Sequence, residues 1–168
     1  MKLRSLLAVV VWLQPTWAFS ESCRVVGISD GDSITVRCSD RPQERVRIAE
    51  IDAPERSQPF GKAAKARASE LAFGKQVELE VVGRDRYGRV VGKVRLPDGT
   101  DFGREMIRSG LAWRYLSYSK DASLSSVEVE ARSGRRGLWA DSQSPTPPWE
   151  FRRNKTNSMK QRKKRRRN

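Results

Sequence analysis

The feature that most constrains this chain is a pair of cysteines placed symmetrically about a turn. Cys23 and Cys38 flank Asp30-Gly31, and Asp-Gly favours a hairpin because glycine accepts a positive φ without a clash. Running two strands outward from that turn, over residues 23–28 and 33–38, sets Cys23, Val25 and Gly27 opposite Cys38, Val36 and Ile34 on one face. A cross-strand disulfide is the expected reading, and it would contribute about 3 kcal/mol by restricting the unfolded chain. Two reduced, buried thiols are the alternative.

More short strands follow. Residues 43–48 alternate Val46 and Ile48 with Arg45 and Arg47, and Pro54 then ends regular structure because it lacks an N–H and fixes φ. Val77, Leu79 and Val81 alternate with Glu78 and Glu80 as a half-buried strand, and residues 90–96 return as the next after a polar turn. Between them residues 61–73, rich in alanine and closed by Gly74, read as a helix. Residues 103–112 read as a second, with Met106, Ile107 and Leu111 facing the core and Gly103 as an acceptable cap. Residues 124–135 read as a third. Five short strands with interspersed helices predict an α+β fold, a five-stranded, partly open OB-type barrel with about three packed helices.

The ends of the chain read differently from its middle. Lys2 and Arg4, the apolar run at residues 6–13 and the small residues Ala18 and Ser20 form a secretory signal over residues 1–20. Eight apolar residues are too few to span a bilayer, so the expected product is a soluble monomer, secreted or periplasmic, with no membrane span once the signal is removed. An exported chain also suits a disulfide. Residues 21–143 form the expected globular domain. Ser144-Pro145-Thr146-Pro147-Pro148 opens a linker and a basic tail over residues 144–168. Ten Lys or Arg and no acid lie from Arg152 onward, and of the net charge of +14 only about +2 belongs to residues 20–151. Such a block repels itself and is expected to be disordered alone, with residues 152–168 suited to the nucleic-acid backbone.

There is no histidine. That excludes Ser-His-Asp and Cys-His catalysis, His-based zinc sites and histidine-nucleophile phosphodiesterases. Hydrolytic chemistry here must rest on carboxylates, arginines and a hard metal ion. Residues 47–55 put Arg47, Asp52 and Glu55 around one strand end, which is expected to end at the metal. Taken alone, that stretch reads first as a charged surface turn, and the rest of the chain is what shifts the balance.

Three such clusters occur in order: D-G-D-S from Asp30, R-I-A-E-I-D-A-P-E from Arg47, and D-R-Y-G-R from Asp85. R-S-G-L-A from Arg108 and G-L-W from Gly137 follow. In order and spacing, from about Val25 to Trp139, this resembles the staphylococcal, or micrococcal, nuclease family. The resemblance implies that Asp32, Asp52 and the Ala53 carbonyl hold a calcium ion. It implies too that Arg47 and Arg89 grip the scissile phosphate and that Glu55 activates or positions the attacking water. Tyr87 and Tyr115 would contact the nucleotide, with Tyr118 competing for the second role and partial core burial the alternative for any of the three. The implied reaction is calcium-dependent hydrolysis of DNA and RNA, endonucleolytic and exonucleolytic, to products with 3′-phosphate ends. The chain departs from the best-known member in Ala53 for threonine, in Gly103 for asparagine, in a shorter segment at residues 56–62, and near Tyr115. A non-catalytic nucleic-acid-binding module on the same fold is the alternative, and such copies typically lack a metal carboxylate or an arginine that this chain retains.

Overall fold

The computed structural model describes residues 20–39, 41–119, 121–140 and 145–166. The expected export signal therefore lies outside the described residues, apart from Ser20, which opens the first strand. Strands β1 (Ser20–Asp30), β2 (Ser33–Cys38) and β3 (Glu44–Ile48) are followed by a two-residue strand β4 (Ile51–Asp52) and helix α1 (Gly61–Ala72). Strands β5 (Gln76–Arg84) and β6 (Val90–Arg95) lead to α2 (Phe102–Arg108), β7 (Trp113–Arg114) and α3 (Ser123–Ser133). A 3-10 turn at Gly137–Trp139 precedes α4 (Pro148–Arg165).

Five strands close a barrel in the order β1-β2-β3-β6-β5, and β4 pairs with β7 in a small second sheet. This is the expected OB-type α+β architecture, with the barrel fully closed. Only β3 and β6 run parallel. Val25, Ile34, Val36, Val46, Val77, Leu79, Val90 and Val94 point into the barrel and are sealed from water. Their alternation with charged neighbours is the period-2 signal of half-buried strands. In α1, Ala64, Ala68 and Ala72 recur at the four-residue spacing that puts them on one face, and all three are fully buried. In α2, Phe102, Met106 and Ile107 complete the core.

Several expectations need correction. The disulfide Cys23–Cys38 is present, and Val25 faces Val36, but Gly27 pairs with Thr35 rather than Ile34. A bulge between Val25 and Gly27 shifts the register, a device that bends and twists a barrel strand. Val81 is 53 % exposed rather than half-buried. Ser20, where the description of β1 begins, already pairs with Glu80, and β5 kinks between Val81 and Gly83. The cap of α2 is Asp101, whose carboxylate accepts the Arg104 N–H at 2.7 Å, and Gly103 lies inside the helix. A Cβ at Gly103 would lie 3.3 Å from Ile51, so the site favours a small residue through packing. The helix ends at Gly110 (φ 68°), where the N–H groups of Gly110 and Leu111 reach back to Ile107 and Met106 in a Schellman closure.

The largest correction concerns the tail. Residues 148–165 form a helix instead of a disordered segment. Pro148 occupies its first turn, where a missing N–H costs nothing, and the start of the helix also makes the contacts that fix it to the barrel. Beyond Arg152 every described residue to Arg166 is exposed. Among the described residues, no helix is long and apolar enough to cross a membrane.

Candidate active site

Asp32 leaves the β1–β2 turn and Asp52 ends β4, and the two meet on one guanidinium. Arg47, on the outward face of β3, donates from Nη1 to Asp32 Oδ2 and from Nη2 to Asp52 Oδ1, both at 2.8 Å. Asp32 Oδ2 also accepts the Ala53 N–H at 2.7 Å, and its Oδ1 accepts the Ser33 hydroxyl at 3.1 Å. Asp32, Asp52 and Ala53 are thus adjacent, and all three are buried. Burial pushes the Asp32 carboxyl up to about 7, against the pull of Arg47, with Asp30 and Asp52 adding to the rise.

Strand β3 does not itself end at this cluster. After Ile48 the chain turns through Glu50, in the left-handed region at φ 66°, and Asp52 arrives on the separate ladder in which Asp52 pairs with Trp113. The Tyr115 N–H extends that ladder to the Glu50 carbonyl at 2.8 Å, which brings Tyr115 to the same edge. Glu55 follows the turn at Pro54. The Gln58 side chain accepts the Glu55 N–H at 3.2 Å, and the Gln58 N–H returns to the Glu55 carbonyl at 2.8 Å. Helix α1 begins against this loop: a Cβ at Gly61 would overlap the Glu55 carbonyl oxygen, so only glycine fits.

Arg89 stands one strand away. The parallel register Val46–Val90 and Arg47–Val91 places Arg89 on the same outward face as Arg47. Strand spacing and rise put the two Cα atoms about 8 Å apart, a span that a phosphate and two arginine side chains can fill. Asp85 orients Arg89 through Nε at 2.7 Å. Desolvation is the largest single influence and pushes Asp85 up, but that bond and the N–H groups of Tyr87 and Arg89 together hold it below the usual carboxylate range. Tyr87 is 71 % exposed at the tip of the same turn, with Arg86 and Arg89 against its ring.

Two residues in the site escaped the sequence reading. Arg152, at the start of the second turn of α4, donates to Asp52 Oδ2 at 2.7 Å and to Glu55 Oε1 at 2.8 Å. Burial works against its charge, yet those bonds push its pKa further upward. Trp149, one turn earlier, stacks on Tyr115 with centroids 5.9 Å apart and planes within 11°. The Pro-Pro-Trp-Glu run at 147–150 was the available signal, since proline at the first helical position marks a helix start. Tyr118 also packs against Tyr115, with centroids 4.9 Å apart and planes tilted by 43°.

The donor set suits a hard divalent cation: two buried carboxylates with a backbone carbonyl beside them and no nitrogen or sulfur ligand. Three carboxylates, Asp32, Asp52 and Glu55, face two guanidiniums, so the cluster keeps a negative balance. It is not drawn tight. Among the described residues, the one trio of ligating types gathered within 4.8 Å is Glu21, Cys23 and Cys38, whose sulfurs are joined to each other. At the carboxylates, Arg47 and Arg152 stand between the groups.

The family model described as Staphylococcal nuclease homologue matches residues 45–141, more than half of the chain. The chain belongs to the staphylococcal nuclease family. A micrococcal nuclease of Shigella flexneri is 40 % identical over 168 aligned residues, covering 93 % of this chain and 95 % of the relative. An uncharacterized endonuclease of Escherichia coli is 43 % identical over 132 residues, 79 % of this chain and 85 % of its own. An uncharacterized endonuclease of Haemophilus influenzae is 38 % identical over 157 residues, 94 % and 87 % respectively. Within the staphylococcal nuclease family, this chain carries nuclease machinery whose substrates are nucleic acids.

Proposed function

We propose that this protein is an exported, calcium-dependent, sugar-nonspecific nuclease that hydrolyses DNA and RNA to products with 3′-phosphate ends. The observation that carries the reading is the bridge Asp32–Arg47–Asp52, with Glu55 on the following loop and Arg89 on the neighbouring strand. Asp32, Asp52 and the Ala53 carbonyl would hold calcium, which when bound supplies a hard Lewis acid for a substrate phosphate oxygen. Arg47 and Arg89 bind phosphate oxygens and stabilise the charge that grows as phosphorus becomes five-coordinate. Glu55 orients a water and takes its proton as the oxygen attacks phosphorus. The bond to the 5′-oxygen breaks, and that oxygen leaves with a proton from solvent. A positioned carboxylate of this kind contributes roughly 10²–10⁴-fold. Tyr87 and Tyr115 offer ring faces to bases without reading sequence.

Phosphate contacts carry no sequence information, which fits action on both sugars. The disulfide and the leader-like first 20 residues support export. The protein acts as a monomer, with the exposed basic part of α4 adding affinity for the backbone. The test is digestion of DNA and RNA in calcium, in magnesium and in chelator, with analysis of product ends. Activity in calcium alone with 3′-phosphate ends is expected, and turnover indifferent to chelator would refute the mechanism. Removal of residues 153–168 should flatten the salt dependence of cleavage. Equal slopes would sink the role given to the tail.

A further inference from the structure

The start of α4 packs against Asp52, Glu55 and Tyr115, the residues that the proposed function gives to a cation, a water and a nucleotide. Arg152 donates three bonds to the carboxylates: Nη2 to Asp52 Oδ2 at 2.7 Å, Nη1 to Glu55 Oε1 at 2.8 Å and Nη1 to Asp52 Oδ1 at 3.2 Å. Arg47 holds the same Oδ1, so both oxygens of a wholly buried carboxylate are engaged by guanidinium N–H groups. Meanwhile Trp149 lies flat on Tyr115 and edge-on to Trp113, at 6.4 Å between centroids. Just before the helix, the Thr146 carbonyl accepts from the Gln58 side chain, the same side chain that holds the Glu55 loop.

Resting on the metal-site reading above, we propose that the start of this helix is a displaceable plug, with Arg152 competing with the divalent cation for Asp52 and Glu55 while Trp149 covers the Tyr115 face. Charge balance favours one occupant at a time. Three carboxylates and Arg47 sum to two negative charges, which either a divalent cation neutralises alone or Arg152 halves. Both together would leave a net positive cluster in a partly buried place, where like charges repel strongly. Attachment is confined to residues 146–152, and the exposed remainder of the helix adds no burial that would hold it down. Segments held by few buried contacts open at low free energy.

The arrangement couples metal to substrate. The same helix carries eight Lys or Arg from Arg152 to Arg165, so a polyanion that engages the exposed ones draws the start of the helix away from the cleft. By reciprocity, the factor by which a polyanion tightens metal binding is the factor by which metal tightens polyanion binding. Nucleic acid would thereby load the site that cuts it.

Calcium titration by isothermal calorimetry on the full mature chain tests this without reference to turnover. Arg152→Ala is expected to bind calcium about tenfold more tightly than the parent, which corresponds to about 1.4 kcal/mol. Arg153→Ala removes the same charge one residue along, from an exposed position, and is expected to change the affinity less than about twofold. Amide hydrogen exchange over residues 149–154 of the parent should accelerate when calcium is added. Equal or weaker binding by Arg152→Ala would overturn the plug and leave the metal site standing. So would equal tightening by Arg153→Ala, or exchange that calcium does not alter. Absence of calcium binding in every variant would remove the metal site and the plug together.

Discussion

Replacing Arg47 by glutamine removes the guanidinium that touches both Asp32 and Asp52. Arg47 is 14 % exposed and its partners are 8 % and 1 % exposed, so solvent screens the change weakly. Breaking a buried pair by deleting one partner typically costs about 3–5 kcal/mol, because the abandoned charge stays in low dielectric. Here Asp32 loses its guanidinium while Asp52 keeps Arg152, and the middle of that range is expected. Urea unfolding in chelator at pH 8 should show the loss as a midpoint lower by about 2 M, for a slope near 2 kcal/mol/M. Two conditions should narrow the gap to the parent. Calcium offers the carboxylates a replacement cation, and ligand at a hundred times its dissociation constant stabilises by about 2.7 kcal/mol. Acid does the same by protonating them. A deficit in chelator below about 1 kcal/mol would refute the view that Arg47 neutralises this pair. A deficit indifferent to both calcium and acid would refute the electrostatic cause.

Three further outcomes follow from particular contacts. Burial raises the Asp32 carboxyl from 3.8 to about 7, so in chelator the folded state binds this proton more tightly than the unfolded chain. Its contribution is therefore complete below about pH 4 and is lost as pH rises towards 7. Asp32→Asn should remove that slope in urea titrations, and an unaltered slope would exclude Asp32 as its source. The double change Cys23→Ser and Cys38→Ser should lower stability by about 3 kcal/mol, and reductant should then have no effect on the variant's melting. Gly61→Ala should cost about 1–3 kcal/mol through overlap with the Glu55 carbonyl and should depress cleavage more than global stability explains. Cleavage unchanged at a temperature where the variant stays folded would dissociate α1 from the placement of Glu55.

Much of the barrel is legible in the chain because it follows from local rules. The hairpin turn, which lies one residue later than expected at Gly31-Asp32, the period-2 alternation of β3 and the alanine face of α1 each involve residues close in sequence. The bulge at Val25–Gly27 does not follow from any local preference, since barrel closure rather than the hairpin sets that curvature. Glu50 in the left-handed region is equally illegible; a glutamate there is strained and is held by the ladder on its far side. At the site, the residues of residues 30–55 and 85–89 are recognisable through their order. Arg152 is not, because its partners lie 97 and 100 positions away and a run of arginines carries no mark of which one docks. The tail is helical where disorder is expected, and its start is held by acids about a hundred positions earlier in the chain.

The ladder between β4 and β7 has a consequence for biosynthesis. Asp52 is held in place by a strand that begins 61 positions later in the chain, at Trp113. A nascent polypeptide that has emerged only as far as Arg89 already contains Asp32, Arg47, Asp52, Ala53, Glu55 and Arg89, but it has no partner for the strand carrying Asp52. Long-range pairing of this kind forms late, after loop closure has been met by enough contacts. The pairing that positions Asp52 is thereby deferred until the final third of the polypeptide exists.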